Sequence, residues 1–213
     1  MNHAPVSLDV FSDFVCPFCY LEEPELDALN ARFSDQLTIR WRAFELRPTP
    51  APTLDPDGDY LHDIWGRAVY PMARERGMTL RLPRIQPRSR LAHEATAWAE
   101  ARSREAGAAL RHALFRGFFE DSLDLADNEA LCHTAVTLGL SLDVEDLRQA
   151  LAEGRYTQQV LDDQQIAGEL GIQGVPGLRF ALNGEHAGIL EGAQPRRQLL
   201  LAVERLLDLA QQH

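Results

Sequence analysis

The hydrophobic and polar positions change period along the chain. Residues 6–11 alternate, with Val6, Leu8 and Val10 apolar and Ser7 and Asp9 between them, which predicts a strand ending on Phe11. After the polar pair Ser12-Asp13 the spacing of Leu21, Leu26, Leu29 and Phe33 becomes helical, and Pro24 is expected to bend the early part of that helix. Residues 37–43 return to alternation, with Leu37, Ile39, Trp41 and Ala43 on one face. These three elements form a βαβ unit. At the far end, 178–182 and 187–190 read as strands around an Asn183-Gly184 hairpin turn. Gln194-Pro195 then opens a helix running to about Gln211, striped by Leu199, Leu200, Val203, Leu206 and Leu207.

Between these halves the pattern is helical. A proline-rich linker at 47–58, with Pro48, Pro50, Pro52 and Pro56, precedes predicted helices at about 60–77, 89–105, 108–120, 128–138, 144–153 and 156–170. Asp127 and Asp143 are the expected N-caps, and Gly77, Gly139 and Gly171 the expected stops. Gly66 and Pro71 weaken the first helix and predict a break in it. A βαβ unit followed by a ββα unit is the thioredoxin layout. The expected fold is therefore α/β, a thioredoxin fold with a large all-helical insertion. Residues 1–47 supply one half, 48–170 the insertion and 171–213 the other half.

Composition narrows the function. A hydrophobic fraction of 45% supports a folded core. A formal charge of -11 disfavours nucleic acid, because phosphate binding needs a basic surface. All 21 basic residues are arginine, which genomic base composition explains as well as any structural need. No run of eighteen apolar residues suggests a membrane span, and the opening residues lack the basic and apolar regions of a secretory leader, so a cytoplasmic location is expected.

The candidate chemistry lies in Cys16-Pro17-Phe18-Cys19, at the strand-to-helix corner of the βαβ unit. The thiolate, not the thiol, attacks disulfides; a free thiol titrates near 8.5, and a helix N-terminus or CxxC setting lowers this to about 3.5–7.5. Cys16 is expected at the first turn, where unpaired N–H groups favour its anion. Cys19, three residues on, is placed to close a disulfide with it and to be the more buried of the two. A structural zinc site needs four ligands, and the only other cluster, Cys132-His133, points its two side chains to different sides of a helix. No metal is expected. Cys132 alone reads as a core filler.

Several stretches resemble the DsbA-like superfamily, especially its cytosolic FrnE-like branch. Ser12 to Tyr20 is similar to that family's active-site segment, and Trp41-Arg42-Ala43-Phe44-Glu45-Leu46-Arg47-Pro48 to its second strand and the motif that follows. Ala113 to Glu120 is similar to a helical-domain signature, Gly171-Ile172-Gln173-Gly174-Val175-Pro176 to the cis-proline loop, and Gly192 to Pro195 to the entry of the last helix. The resemblance implies a thiol–disulfide oxidoreductase or isomerase using Cys16 and Cys19, with Pro17 and Phe18 as the active-site dipeptide. It implies a cis Val175–Pro176 bond facing Cys16, with Pro176 packed on the disulfide and Val175 pairing an extended client. Protein or small-molecule thiols and disulfides are the implied partners. No cofactor beyond the Cys16–Cys19 disulfide is implied, and glutathione is a candidate co-substrate. The chain departs from the family in following Pro176 with Gly177-Leu178-Arg179, in lacking a second cysteine pair, and in placing Val10 where thioredoxins carry a buried acid.

His93 is a candidate contact for a bound peptide or thiol, with a surface helix position as the plainer reading. Trp65, Tyr70, Phe115, Phe118 and Phe119 read as core before they read as a client-binding wall. Glu22-Glu23 reads as a solvated acidic face. The competing function is a glutathione-dependent isomerase or transferase, like 2-hydroxychromene-2-carboxylate isomerase and the kappa transferases. Those enzymes carry serine at the first active-site position and no resolving cysteine. A third reading, a non-catalytic holdase, needs an exposed apolar groove.

Overall fold

The structure, a computed structural model, describes residues 4–212. Strands β1 (Val6–Ser12) and β2 (Leu37–Ala43) pair in parallel across helix α1 (Pro17–Phe33). Strands β3 (Gly177–Leu182) and β4 (Glu185–Glu191) form an antiparallel hairpin, and β3 joins β1 to complete the order β2-β1-β3-β4. The hairpin turns on Asn183 (φ 51°) and Gly184 (φ 87°), the positive pair that a two-residue turn needs to follow strand twist. Helix α9 (Arg196–Gln211) closes the chain. One sheet face carries Val6, Leu8 and Val10 into a core with Leu26, Leu29 and Phe33 of α1 and Leu199, Val203 and Leu207 of α9. Phe11 points the other way, onto Ala167 and Ile172. Both faces are covered, so β1 is buried almost throughout and its alternation marks direction, not exposure.

The helical insertion begins with α2 (Asp59–Ile64), a π-helical segment (Trp65–Val69) and α3 (Tyr70–Glu75). The expected break near Gly66 and Pro71 is replaced by this wider turn, in which the Tyr70 N–H bonds the Trp65 carbonyl. Pro71 has no N–H and its ring crowds the carbonyl four residues back, a conflict that a π turn relieves without ending the helix. Helices α4 (Arg90–Glu100) and α5 (Arg104–Asp121) correct the predicted spans at 89–105 and 108–120. The division falls at Ser103, whose extended backbone and hydroxyl, accepting from the Ala106 N–H at 3.0 Å, cap a new helix. Helices α6 (Asn128–Thr137) and α7 (Val144–Glu153) start on Asp127 and Asp143, each accepting from first-turn N–H groups. Helix α8 (Thr157–Glu169) leads back to the sheet. Trp65, Phe115, Phe118 and Phe119 are buried in the helical core with Cys132, whose thiol donates to Asn128 Oδ1 at 3.3 Å. Tyr70 is partly exposed and edges onto Trp65.

Buried ion pairs join the layers. Glu22 and Glu23 are not a solvated face: both are buried. Glu22 accepts from Arg76 Nη1 (2.9 Å) and the Gln194 N–H (3.0 Å), and Glu23 from Arg111 Nε (2.8 Å) with His112 Nδ1 at 2.9 Å. Asp9 pairs with Arg40 (3.0 Å), Arg42 (3.5 Å) and Arg179 (2.8 Å) across three strands. On α8, Asp163 accepts from Arg42 Nη1 (2.9 Å) and from the Ala43 N–H (3.0 Å), satisfying a donor on the open edge of β2.

Asp163→Ala should lower stability by about 2–3 kcal/mol, because it strands a buried N–H and an arginine partner, read as a shifted urea midpoint at unchanged slope. Two glycine substitutions should move in opposite directions. A Cβ at Gly107 would lie 2.0 Å from Glu100 Cγ and 3.0 Å from its Cα, whereas nothing lies within 4 Å of one at the exposed Gly168. Gly107→Ala should therefore cost about 1–3 kcal/mol by overpacking, and Gly168→Ala should gain about 0.5 kcal/mol through helix propensity and a less mobile unfolded chain.

Candidate active site

The site forms where β1 runs out. Asp13 follows the strand, fully buried, and uses its backbone and side chain to shape the turn. Its carbonyl accepts from the Cys16 N–H at 3.0 Å. Its carboxylate accepts from the Val15 N–H (3.3 Å) and from the Leu46 N–H (2.7 Å), tying the turn to the segment after β2. Cys16 then takes the N-cap of α1 with extended backbone (φ -91°, ψ 112°), and Pro17 occupies the first turn, where its missing N–H costs no bond. The Cys16 sulfur thus sits at the positive end of the helix dipole.

Both thiols are free and nearly buried, Cys16 at 4% exposure and Cys19 at 1%. The Cys16 thiol donates to the Val175 carbonyl at 3.5 Å, across 159 residues of sequence. The Val175–Pro176 peptide bond is cis, and the Pro176 carbonyl accepts from the Gly192 N–H at 2.8 Å. Gly177 opens β3 beneath this loop, where a Cβ would come within 2.7 Å of Ile172 Cγ2. The loop tucks too closely for a side chain there.

The environment of Cys19 is asymmetric. Burial pushes its thiol well above the usual cysteine range, and a hydrogen bond with Cys16 and that neighbour's charge push the same way. The neighbouring Asp13 N–H and Ser12 hydroxyl act more weakly in the opposite direction. Cys19 is held as the neutral, inner thiol.

Cys16 faces a cavity of about 260 Å³ whose walls include Phe18, Leu61, Trp65, Phe119 and Val175, with Arg47 the one charged lining residue among those described. Sequence, cysteine pair, active-site dipeptide and proline loop therefore converge on one place. His93 does not join them. It is neither a surface residue nor a lining residue of this cavity: it is 8% exposed, stacks on Phe14 at 4.9 Å, and sets Nε2 at 3.6 Å from Asp13 Oδ1. The predicted span beginning at Ser89 places it one turn into α4, but the face that turn presents is turned inward, onto Phe14 of the turn after β1. The sequence reads Ser12-Asp13 as a polar turn, with Asp13 or solvent as the substitute for the acid absent at position 10; the structure buries the Asp13 carboxylate, and an acid three residues before the first cysteine is the signal that marks it. Cys132 is buried in the helical core while His133 is exposed, and among the described residues no group of three or more His, Cys, Asp or Glu could hold a metal ion.

Comparison with known proteins agrees with this geometry. Residues 7–204 match the family described as DSBA-like thioredoxin domain. The uncharacterized protein YwbO of Bacillus subtilis is 30% identical over 154 residues, covering 71% of this chain and 74% of that protein. A probable DsbA oxidoreductase from Streptomyces coelicolor superposes with a TM-score of 0.73 at 27% identity, covering 95% of this chain and 90% of the other. Two further structures share the fold at lower identity. They are the cytosolic disulfide reductase DsbM from Pseudomonas aeruginosa (TM-score 0.73, 18%, covering 96% and 100%) and 2-hydroxychromene-2-carboxylate isomerase (0.72, 20%, covering 97% of each). The match runs through both halves of the sheet and all the helices between them, so the chain belongs to the DSBA-like thioredoxin domain family, the DsbA-like disulfide oxidoreductases.

Proposed function

We propose that the protein exchanges disulfides with protein or small-molecule thiols through Cys16 and Cys19, as a member of the cytosolic FrnE-like branch. The observation that carries this reading is the pair of thiols at the mouth of α1, one lining an apolar cavity and the other sealed behind it. In reduction, Cys16 attacks a client disulfide and Cys19 resolves the mixed disulfide, closing the Cys16–Cys19 bond and releasing the client thiol. In oxidation the steps reverse. Pro17 and Phe18 set the ring between the sulfurs. Val175 offers its backbone to an extended client, and Pro176 packs against the disulfide and keeps metal off the thiols. No other cofactor takes part. Glutathione is a fitting co-substrate, a use supported by the P. aeruginosa reductase having been solved with it. That reductase's description as cytosolic also supports a cytoplasmic location, and among the described residues no helix is long and apolar enough to cross a membrane. Residues 1–47 and 171–213 act as the redox half of the chain, and 48–170 as the part that walls the client cavity.

The isomerase reading gains support from fold likeness alone. Cys19 separates the two, because glutathione-dependent isomerisation has no use for a second thiol beside the first.

The purified protein should catalyse insulin reduction by dithiothreitol, and Cys16→Ser should abolish it; full activity in the variant would overturn the assignment. Titration in glutathione buffers should show one two-electron couple, lying within the span of about -270 to -120 mV covered by thioredoxin and DsbA. The raised Cys19 thiol makes a second test by alkylation. Reduced protein treated with iodoacetamide at pH 8 should be modified at Cys16 first. In Cys16→Ser, Cys19 should stay unmodified until the pH is well above 9. Mass spectrometry finding Cys19 alkylated as fast as a free cysteine would contradict the burial effect.

A further inference from the structure

The attacking sulfur is recessed. Cys16 keeps 4% of its surface exposed and lines the cavity of about 260 Å³ walled by Phe18, Leu61, Trp65 and Phe119. A disulfide fixed inside a folded protein cannot bring its sulfur into so narrow a space, whereas a small organic disulfide can enter. The volume lies just below the roughly 300–1,000 Å³ of ordinary small-molecule sites, which suits a body built on one aromatic ring. Such a site orients its ligand through the few polar groups among its apolar walls. Here Arg47 is the one charged lining residue among those described, and no carboxylate lines the cavity beside it. Its backbone is held on both sides. The Leu46 N–H donates to the Asp13 carboxylate at 2.7 Å, and the Arg47 carbonyl accepts from Arg88 Nη1 at 2.9 Å. Arg47 itself is exposed, and its guanidinium has no ion pair or side-chain hydrogen bond among the described residues. A net charge of -11 repels anions from much of this surface, so an unpaired cation on a ligand-sized cavity is selective.

We propose that the cavity selects small disulfides whose halves join an apolar body to a carboxylate, and that Arg47 selects them by pairing with that carboxylate. This rests on the reading of Cys16 and Cys19 as the exchanging pair. The apolar body packs among Phe18, Leu61, Trp65 and Phe119, with its sulfur against Cys16. The Cys16 thiolate attacks that sulfur and forms a mixed disulfide, and the far half leaves as a thiolate with the bonding electron pair. Cys19 then bonds Cys16 and displaces the second half in the same way. Two electrons pass to the client, and the two protons of the dithiol end on the two released thiols. Arg47 takes no part in bond exchange; it is a specificity-determining residue. Glutathione brings an ammonium that meets no carboxylate in the lining, and so it is held less well than an apolar monoanion.

The test is quenched-flow mass spectrometry of reduced protein mixed with one disulfide at a time, each rate divided by that of the same disulfide with dithiothreitol. The division removes the intrinsic reactivity of the leaving thiol. On this scale 4,4′-dithiodibenzoate should exceed the neutral 4,4′-dithiodibenzamide about tenfold, the scale of one charge-assisted hydrogen bond. It should also exceed glutathione disulfide and the disulfide of a capped, uncharged phenylalanyl-cysteine peptide. Arg47→Ala should bring benzoate and benzamide to parity, Arg47→Lys should keep part of the preference, and Arg47→Glu should reverse it. A preference for benzoate that survives undiminished in Arg47→Ala would overturn the proposal. So would the fastest rate falling to glutathione disulfide, or to the peptide, which would give the cavity to protein clients. A second measurement needs no exchange. In Cys16→Ser, 4-(methylthio)benzoate should bind and quench tryptophan fluorescence, and adding Arg47→Ala should weaken that binding about tenfold. Absence of binding would also overturn the proposal. Wild type oxidised by none of these disulfides would instead remove the oxidoreductase reading and the selection with it.

Discussion

Asp13 commits its carbonyl and its carboxylate to one task. Its carbonyl holds the Cys16 N–H, and its carboxylate holds the Val15 and Leu46 N–H groups. A buried carboxylate must be satisfied or it becomes protonated or displaced, so these bonds define the turn instead of merely decorating it. Without them the first turn of α1 would lose its anchor to the segment after β2, and Cys16 would no longer meet Val175. The site is thus held by one acid in the turn, not by the cysteines themselves.

The same logic extends to the joint between sheet and helices. Glu22, Glu23 and Glu25 lie within four residues of α1, interrupted by Pro24, and each is buried and paired with an arginine from a different element: Arg76 after α3, Arg111 of α5 and Arg196 of α9. Buried pairs of this kind give little net stability over apolar packing, but breaking one leaves a costly unpaired charge. Their effect is to fix the rotation and height of α1, and therefore of the thiols at its start. A chain with a net charge of -11 has no shortage of carboxylates; what matters is that Arg76 and Arg111 follow Glu22 and Glu23 inward, while Arg196 meets Glu25 from a half-exposed position at the rim.

The strands and the hairpin were legible because their signals are local. Alternation in 6–11 and 37–43 and the positive-φ pair at Asn183-Gly184 depend on the chain's own sequence, as do the caps at Asp127 and Asp143. The cysteine pair was legible for the same reason. What escaped depends on partners far away in sequence. Glu22-Glu23 looks solvent-facing until Arg76 and Arg111 are brought to it over 54 and 88 residues. His93 looks like a surface position until α4 packs behind the β1–α1 turn. The boundary at Ser103 competes with a helical pattern running straight through it, and is settled by a single hydroxyl and by the close approach of Gly107 to Glu100.

A disulfide exchanger has two problems that pull against each other: the outer sulfur needs an open approach, and the inner one needs dry surroundings that keep it from reacting first. Burial solves the second by holding Cys19 neutral, but it also cuts that thiol off from the water that would otherwise take its proton. The fold answers with different settings for the two sulfurs: Cys16 lines an apolar cavity, and Cys19, which does not line it, is packed into the core. The helical insertion builds both, lining the cavity through Trp65 and Phe119 and packing Phe115 and Phe118 into the core that holds Cys19. Access to one sulfur and shelter for the other both follow from where that insertion packs, which makes it part of the chemistry and not an appendage to it.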